Sequence, residues 1–276
     1  MLRRPRYLLV LVVVAALGAG VAVIDDPAVA QVEPQPIVFH HVFSDGDGGN
    51  KASYTIPDAY AFTQGSYVLM VSASVVSAGT PNVPTVTGKN LNWQLVGTSA
   101  SGTMRVAVYQ AWADNPQASP NVTFDFAGQT QLRSSRSFFE ARGGIDRQAP
   151  VRRIAFSSGT GTTAQVALPG FANPVANAAV FGVAKSNSST ITQELANEIA
   201  DIGTGAEQHR LSPAWELGEE TTPSASWSGS SNWIAVGLEI SAGTDGPTPT
   251  TTTTVGPTTT TLGTGGLDGW IGCSMT

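Results

Sequence analysis

The sequence predicts an all-β protein, a jelly-roll-like β-sandwich of about ten or more strands. Many short runs between residues 32 and 242 alternate apolar and polar side chains with a period of two, which is typical of half-buried strands. Turn sequences rich in Gly, Asn, Asp and Pro separate these runs. Only 12% of the residues are charged, whereas helical surfaces carry many Glu, Lys and Arg. These three observations favour sheets, and a hydrophobic content of 41% is enough for a sizeable core.

Residues 1–30 have the pattern of a secretory signal. Three arginines stand within the first six residues, an uncharged apolar run occupies 7–24, and Ala28-Val29-Ala30 supplies a small-x-small cleavage site. Cleavage after Ala30 would give a secreted, extracellular protein with no remaining attachment to the membrane. An uncleaved anchor is the alternative, because a run of this length can just span a bilayer.

The β-sandwich domain is predicted to cover residues 31–242. Half-buried strands are expected where apolar and polar residues alternate, at 104–109, 122–126 and 163–168. Central strands, covered on both faces, are expected at the continuous apolar runs 67–76, 178–184 and 233–240. Turns are expected at 45–50, 87–90, 114–116 and 228–230. The one helix-compatible stretch, 192–202, is short, and we expect a loop there with at most one helical turn.

An approximate internal repeat runs through this domain, with an offset close to 100 residues. The same order of segments occurs twice, and it matches Ala111-Trp112 with Ala214-Trp215 and Glu140 with Glu239. Two five-stranded halves packed face to face would give one domain, and an internal duplication would explain the repeat.

The C-terminal part has a different composition. Residues 243–266 are rich in Thr, Pro and Gly, cannot bury a core, and resemble the extended linkers that join extracellular modules. Only residues 267–276 follow, so we expect them to be the stub of a truncated second module.

Charge and cysteine content exclude several classes of function. A net charge of −6 at pH 7 argues against nucleic acid and against an anionic membrane surface, both of which attract basic patches. One Cys excludes a disulfide framework within the chain and a zinc site with several thiolates. No cofactor is expected.

A calcium loop is one interpretation of Asp45, Asp47 and Asn50. Alternate oxygen ligands on a Gly-rich turn suit Ca²⁺, but the EF-hand pattern requires Glu at the position where this chain has Ile56. A polar hairpin turn explains the same residues, so the sequence leaves calcium open and no metal ligand is assigned.

Tryptophans are the candidate ligand-binding residues. Five of the six tryptophans in the chain lie in the β domain, and Trp93, Trp112 and Trp215 are candidates for a platform that stacks against sugar rings. The alternative is core packing, which the repeat favours for Trp112 and Trp215. A polar surface with few charges suits a neutral polysaccharide or cell-surface glycan.

Two sequence segments show a first resemblance, TPNVPTVTGKNLNWQLVG and TTPSASWSGSSNWIAVGLEI. They resemble β-sandwich accessory modules of secreted bacterial and phage-associated proteins. The resemblance implies an accessory β-sandwich module but no specific activity. The tryptophans and the low content of charged residues motivate the expected role, a non-catalytic module that binds a glycan or another cell-surface ligand or acts as a spacer.

The last ten residues carry a second resemblance. Gly272, Ser274, Met275 and Thr276 are similar to the first sequence block of SGNH (GDSL-type) hydrolases, G-D-S-[LM]-[ST], although Cys273 stands where that family has Asp. The resemblance implies that Ser274 is a nucleophile, whose Asp and His partners come from a later D-x-x-H block. The alternative function is therefore the N-terminal fragment of an SGNH-type esterase, which as given would not be an active enzyme.

Overall fold

The computed structural model describes residues 37–56, 60–198, 202–203 and 209–243, which all belong to one compact unit. The predicted signal, almost all of the predicted linker and the stub lie outside these residues. Every regular element in the described ranges is a strand, so the all-β prediction is confirmed. The same ranges hold no helix long and apolar enough to cross a membrane.

Fifteen strands form within the described residues. The first half of the chain contributes β1 Val38–Asp47, β2 Ser53–Thr55, β3 Tyr67–Val75, β4 Thr85–Thr87, β5 Gln94–Ser101, β6 Met104–Trp112, β7 Thr123–Asp125 and β8 Arg133–Arg142. The second half contributes β9 Val151–Gln165, β10 Ala178–Lys185, β11 Ile191–Gln193, β12 Asn197–Glu198, β13 Ile202–Gly203, β14 Arg210–Leu217 and β15 Ser224–Ile240. The stretch 192–202 therefore holds parts of three short strands in place of the expected loop.

The strands form three antiparallel sheets. The first has the order β1-β8-β3-β6-β5, and a small sheet has the order β2-β7-β4. The second large sheet contains the path β11-β15-β10-β14-β12, and β9 also pairs with β15 while β13 pairs with β14. β3 and β10 are apolar on both faces because each lies inside its sheet and is covered on both sides.

The two large sheets pack face to face, as the sequence predicted. The core between them takes alternate residues from each strand, because successive side chains point to opposite faces. The first sheet contributes Tyr67, Leu69, Val71, Val106, Val108 and Phe139, and the second contributes Val180, Leu211, Ile234, Val236 and Leu238.

The outer faces of both large sheets are also covered. Tyr54, Val86 and Phe124 of the small sheet pack against Val68, Met70, Tyr109 and Phe138 on the first large sheet. On the second large sheet, Ala164, Ile191, Ala225 and Trp227 cover Phe181, Val183 and Ala235. Each half is thus a sandwich in its own right, and the two sandwiches share the central core.

The expected repeat is present in the strand order. The first half has β1-β8-β3-β6, and the second has β9-β15-β10-β14. The pairing register repeats as well. Val68, the second residue of β3, stands opposite Glu140, and Ala179, the second residue of β10, stands opposite Glu239. The expected match of Glu140 with Glu239 is confirmed.

The expected match of Trp112 with Trp215 is wrong. Trp112 stands opposite Tyr67, and the residue in that position of the second half is Leu217, opposite Ala178. Trp215 stands two residues earlier on its strand. The sequence alignment failed there because both strands contain Ala-Trp, but the pair ends β6 and stands two residues before the end of β14.

A backbone hydrogen bond repeats next to this position. The N–H of Ala113 donates to the carbonyl of Ser66 at 2.9 Å, and the N–H of Gly218 donates to the carbonyl of Asn177 at 2.8 Å. Because Ala113 and Gly218 directly follow Trp112 and Leu217, these bonds independently support the pairing of Trp112 with Leu217.

The first half follows a jelly roll only in part. Strands β1, β8, β3 and β6 lie in one sheet and β2, β7 and β4 in the other, but β5 pairs with β6 and extends the larger sheet. A complete jelly roll places eight strands in two sheets. The β-sandwich is therefore the level at which the architecture is described.

Candidate functional site

A cleft of about 250 Å³ opens beside Trp112. It lies where β6 and β8 end and where the chain passes from the first half to the second. Its lining residues are Thr63, Gln64, Gly65, Ser66, Trp112, Arg142, Gly143, Ile145 and Arg147.

Trp112 is the last residue of β6 and is partly buried. Its ring lies 5.3 Å from the ring of Tyr67 between centroids, and the guanidinium of Arg147 lies 4.2 Å from its centroid. The Tyr67 hydroxyl donates a hydrogen bond of 2.9 Å to Gln110 Oε1. Burial raises the pKa of Tyr67 well above its ordinary value, so this hydroxyl stays protonated. The Trp112 ring is therefore held between a fixed phenol and a cation.

Arg142 is the last residue of β8, and neighbouring side chains of the protein hold its guanidinium in place. Its Nη2 donates to Glu140 Oε2 at 3.0 Å and to Thr63 Oγ1 at 2.5 Å. Glu140 is fully buried, and it also accepts from the backbone N–H of Thr63 at 2.6 Å and from the hydroxyl of Tyr60 at 3.0 Å. Burial opposes ionisation of Glu140, but hydrogen bonds from Ser66, Arg142 and Thr63 outweigh it and hold its pKa below the ordinary value.

Arg147 belongs to the connection between the halves. Its Nη2 pairs with Asp114 Oδ1 at 2.6 Å, and the side chains are 46% and 68% exposed. Ion pairs this exposed contribute little to stability and break readily, because water and salt compete for both partners.

A second hollow, of about 130 Å³, also has Trp112 in its wall. The rest of its lining is mostly amide and carboxylate, from Asn92, Gln94, Gln110 and Asp114, with Ala111. The Nε2 of Gln110 donates to Gln94 Oε1 at 3.3 Å. We call the cleft and this hollow together the Trp112 site. It combines an aromatic ring, amide donors and acceptors, two guanidinium groups and the carboxylate of Asp114.

The other two candidate tryptophans pack elsewhere. Trp93 is partly buried against Phe62 and Phe138, with ring centroids 6.4 and 6.0 Å away, and its Nε1 donates to the carbonyl of Gly88 at 3.2 Å. Trp215 packs against Phe39 at 5.5 Å, next to the central core. Because Trp93 lies on the outer face of the first sheet and Trp112 on its inner face, the structure does not bring the three together on one platform.

The carboxylates of the Gly-rich turn contact cations of the protein. Asp45 pairs with Arg136, and Asp47 accepts from Lys51 Nζ at 2.6 Å and from the backbone N–H of Gly49 at 2.6 Å. In the described ranges, no three His, Cys, Asp or Glu side chains are grouped so that they could hold a metal ion. Asp45 and Asp47 lie at the end of β1, so the turn expected at 45–50 is wrong for its first three residues, where the strand continues.

Sequence reasoning missed a buried Ser–His pair. The Oγ of Ser135 lies 3.0 Å from Nε2 of His209, and both side chains are fully buried. Burial, together with the charges of Arg133 and Lys185, lowers the pKa of His209 to about 3. The pair has no exposed surface, and its hydrogen bond links a residue of the first half to one of the second. No local pattern could have revealed it, because the residues are 74 positions apart.

The remaining candidate, Ser274, lies outside the described residues. Neither a scan against protein-family models nor a search of curated proteins finds a match for the chain. Arg142 and Arg147 were also missed as site residues. The only signal was their proximity to the Gly143-Gly144 turn, which does not show which residues of the first half they face.

Proposed function

We propose that the protein is a secreted, non-catalytic binding module and that the Trp112 site binds a polysaccharide or a cell-surface glycan. One observation carries the proposal: partly buried Trp112 is shared by two adjoining hollows whose other walls bear amide and guanidinium groups. Sugar rings present apolar faces edged by hydroxyls. An aromatic surface next to hydrogen-bonding side chains complements both parts of such a ligand.

The fixed geometry of the ring supports the same proposal. Tyr67 and Arg147 both lie against Trp112, so the indole would lose little conformational freedom when a ligand binds. Interactions made by groups that are already ordered give more net affinity, because less entropy is lost on association.

A polysaccharide pulldown with the full chain tests the proposal, and Trp112→Ala and Leu217→Ala are the informative variants. Leu217 occupies the position of Trp112 in the second half, is 49% exposed and does not line the Trp112 site. We expect the wild type and Leu217→Ala to be retained on at least one glycan, and Trp112→Ala to bind at least tenfold more weakly.

Circular dichroism and thermal unfolding of each variant separate loss of binding from loss of fold. Equal retention of the folded Trp112→Ala variant and the wild type would reject the assignment of the site. Failure of the wild type to bind any glycan in a broad array would reject the function itself.

The esterase fragment remains the second candidate, and the residue pattern Gly272, Ser274, Met275 and Thr276 favours it. The coding sequence beyond the codon for Thr276 tests it, because the Asp and His partners of Ser274 would come from a later D-x-x-H block. A continuing reading frame with such a block would support the esterase, and a stop codon directly after Thr276 would count against it.

A further inference from the structure

We propose that the Trp112 site selects acidic saccharides, and that Arg142 and Arg147 bind the anionic group of the sugar, either a carboxylate or a sulfate ester. This inference rests on the proposed function and deepens it, because it names the chemical class of the glycan. It also replaces the neutral glycan expected from the overall composition, because the charge of the cleft differs from that of the chain.

The first argument is local charge. The residues that line the 250 Å³ cleft include two arginines and no acid, although the chain carries a net charge of −6. A cleft lined by charge of one sign raises the local concentration of ligands of the opposite sign. Each of the two guanidinium groups already contacts one carboxylate, Arg142 that of Glu140 and Arg147 that of Asp114. An anionic ligand would therefore bind through the guanidinium donors that these carboxylates leave exposed.

The second argument is that the buried carboxylate leaves donors of Arg142 available. Glu140 is fully buried and engages only Nη2 of Arg142, with which Thr63 also bonds. The Arg142 side chain is 46% exposed, so part of its guanidinium remains accessible to a ligand. A guanidinium has five N–H donors in a planar fork, and this fork suits carboxylate and sulfate oxygens. Glu140 and Thr63 hold the group in place before a ligand arrives.

The third argument concerns Arg147. Its partner Asp114 is 68% exposed, so a ligand anion can replace this carboxylate at the guanidinium with little loss of stability. Stacking on Trp112 at 4.2 Å keeps the guanidinium over the ring while the exchange takes place. The anion would therefore be bound directly beside Trp112, and the sugar ring would contact the part of the indole that Arg147 and Tyr67 leave exposed.

The second half of the molecule provides a natural contrast. Its buried Glu239 is held by Nε of Arg153 at 3.3 Å. Nη1 of Arg153 donates to the backbone carbonyls of Pro169 and Gly170, so this guanidinium is engaged by the protein on two sides. Arg153 does not line the Trp112 site. It supports a buried carboxylate as Arg142 does, but two backbone carbonyls of the protein also accept from it.

The test measures binding of the full chain to three polymer classes: a polyuronate, a sulfated polysaccharide and a neutral glucan. We expect at least tenfold tighter binding to one or both acidic polymers than to the glucan, with affinity falling as salt rises. The two acidic polymers distinguish carboxylate from sulfate. Binding to the neutral glucan alone would overturn this inference and leave the proposed function standing. Binding to none of them, nor to any glycan in the array, would overturn both.

Three substitutions distinguish the site from general attraction of polyanions. Arg147→Gln should weaken acidic-glycan binding by about tenfold while the protein remains folded, because its ion pair is exposed. Arg142→Gln should weaken it at least as much. Arg153→Gln is the matched control, since it also removes the arginine of a buried glutamate, and its affinity should stay within twofold of the wild type.

Arg142→Gln can also destabilise the fold, because Glu140 would lose its cation. Arg147→Gln therefore decides the outcome if Arg142→Gln does not fold. Wild-type affinity of folded Arg147→Gln for the acidic polymers would overturn the proposal. An equal loss in Arg147→Gln and Arg153→Gln would also overturn it, because it would indicate attraction by total charge.

Discussion

The two halves of the described chain, 37–145 and 151–243, reach the same strand order by different routes. In the first half the small outer sheet is made of separate strands β2, β7 and β4. In the second half, the corresponding outer layer contains the end of β9 paired with the start of β15. These strands have 15 and 17 residues, and each continues from the outer layer into the large sheet. The outer layer can therefore be built without interrupting the strands of the large sheet.

Features that both halves have are expected to serve the fold, whereas features that only one half has are candidates for function. Both halves have a fully buried glutamate in the same register. Glu140 accepts a hydrogen bond from the backbone N–H of Thr63, before β3, at 2.6 Å, and Glu239 accepts one from Ala172, before β10, at 2.9 Å. Trp112, in contrast, has Leu217 as its counterpart. We conclude that the buried glutamates serve the fold and that Trp112, the aromatic residue of the Trp112 site, is specific to the first half.

The strongest way to test this separation is to remove a large core side chain that only one half has. The ring of Phe138 packs against Phe43, Phe62, Trp93 and Phe124, at 5.9 to 6.5 Å between centroids. The residue in the same register of the second half is Gly237. We expect Phe138→Ala to lower the free energy of unfolding by about 3–5 kcal/mol, measured by urea denaturation, because it leaves a cavity.

Gly237→Ala is the matched substitution. Its added Cβ would lie 3.1 Å from Val166 and 3.2 Å from Leu168, so we expect a smaller cost of roughly 1–3 kcal/mol from overpacking. A cost below about 1 kcal/mol for Phe138→Ala would show that the outer core of the first half contributes less to stability than its packing suggests.

The second prediction concerns the contact between the halves and its pH dependence. His209 has a pKa of about 3 in the folded protein and about 6.5 when unfolded, so the unfolded chain binds more protons between these values. The stability contributed by neutral His209 is fully present above pH 6.5 and is lost progressively as pH falls toward 3. We expect the wild type to lose about 2 kcal/mol between pH 7 and pH 5.

Urea denaturation of the wild type and of His209→Gln at both pH values measures this loss. Glutamine can keep a hydrogen bond to Ser135 and does not titrate, so the variant should have a flatter profile. Carboxylates titrate mainly below this window, so they contribute little to the difference. Equal pH profiles for the two proteins would show that His209 is not the group responsible.

The third prediction compares the two buried glutamates directly. Glu140→Gln and Glu239→Gln should each lower the free energy of unfolding by about 1–2 kcal/mol, because each weakens charge-assisted hydrogen bonds in a buried position. Chemical denaturation at pH 7 measures both. A cost confined to one half would contradict the conclusion that these residues serve the same structural role.

Much of this fold could be predicted from local pattern. The apolar runs at 67–76 and 178–184 became β3 and β10, and the alternating run at 104–109 became part of β6. The turn predicted at 228–230 was wrong, because β15 continues through it with a shift in register between Ser226 and Ser231. Gly229 adopts a φ of 76° there, which allows a bulge where a turn was expected.

The site was harder to predict because it depends on long-range contacts. Trp112 was a candidate for its chemistry alone, but the same chemistry applied to Trp93 and Trp215. Arg147 is 35 positions from Trp112 and reaches it only because the chain from Gly143 onward bonds to the end of β15, through Asp146 N–H to Ser241 and Gly243 N–H to Gly144. A pattern of neighbouring residues holds no information about such a contact.

The smallest expected effect is that of Arg147→Ala on stability, and it tests whether Arg147 contributes to the contact between the halves. Arg147 lies in the connection between the halves, outside the repeated strands, and both members of its ion pair are largely exposed. We expect the free energy of unfolding to change by less than about 1 kcal/mol, since an exposed pair and one exposed cation–π contact contribute little each. Thermal unfolding at low and high salt measures this, with Phe138→Ala giving the scale of a true core defect. A loss above about 2 kcal/mol would mean that Arg147 helps to hold the halves together, and its place in the cleft would then have a structural explanation instead of a ligand.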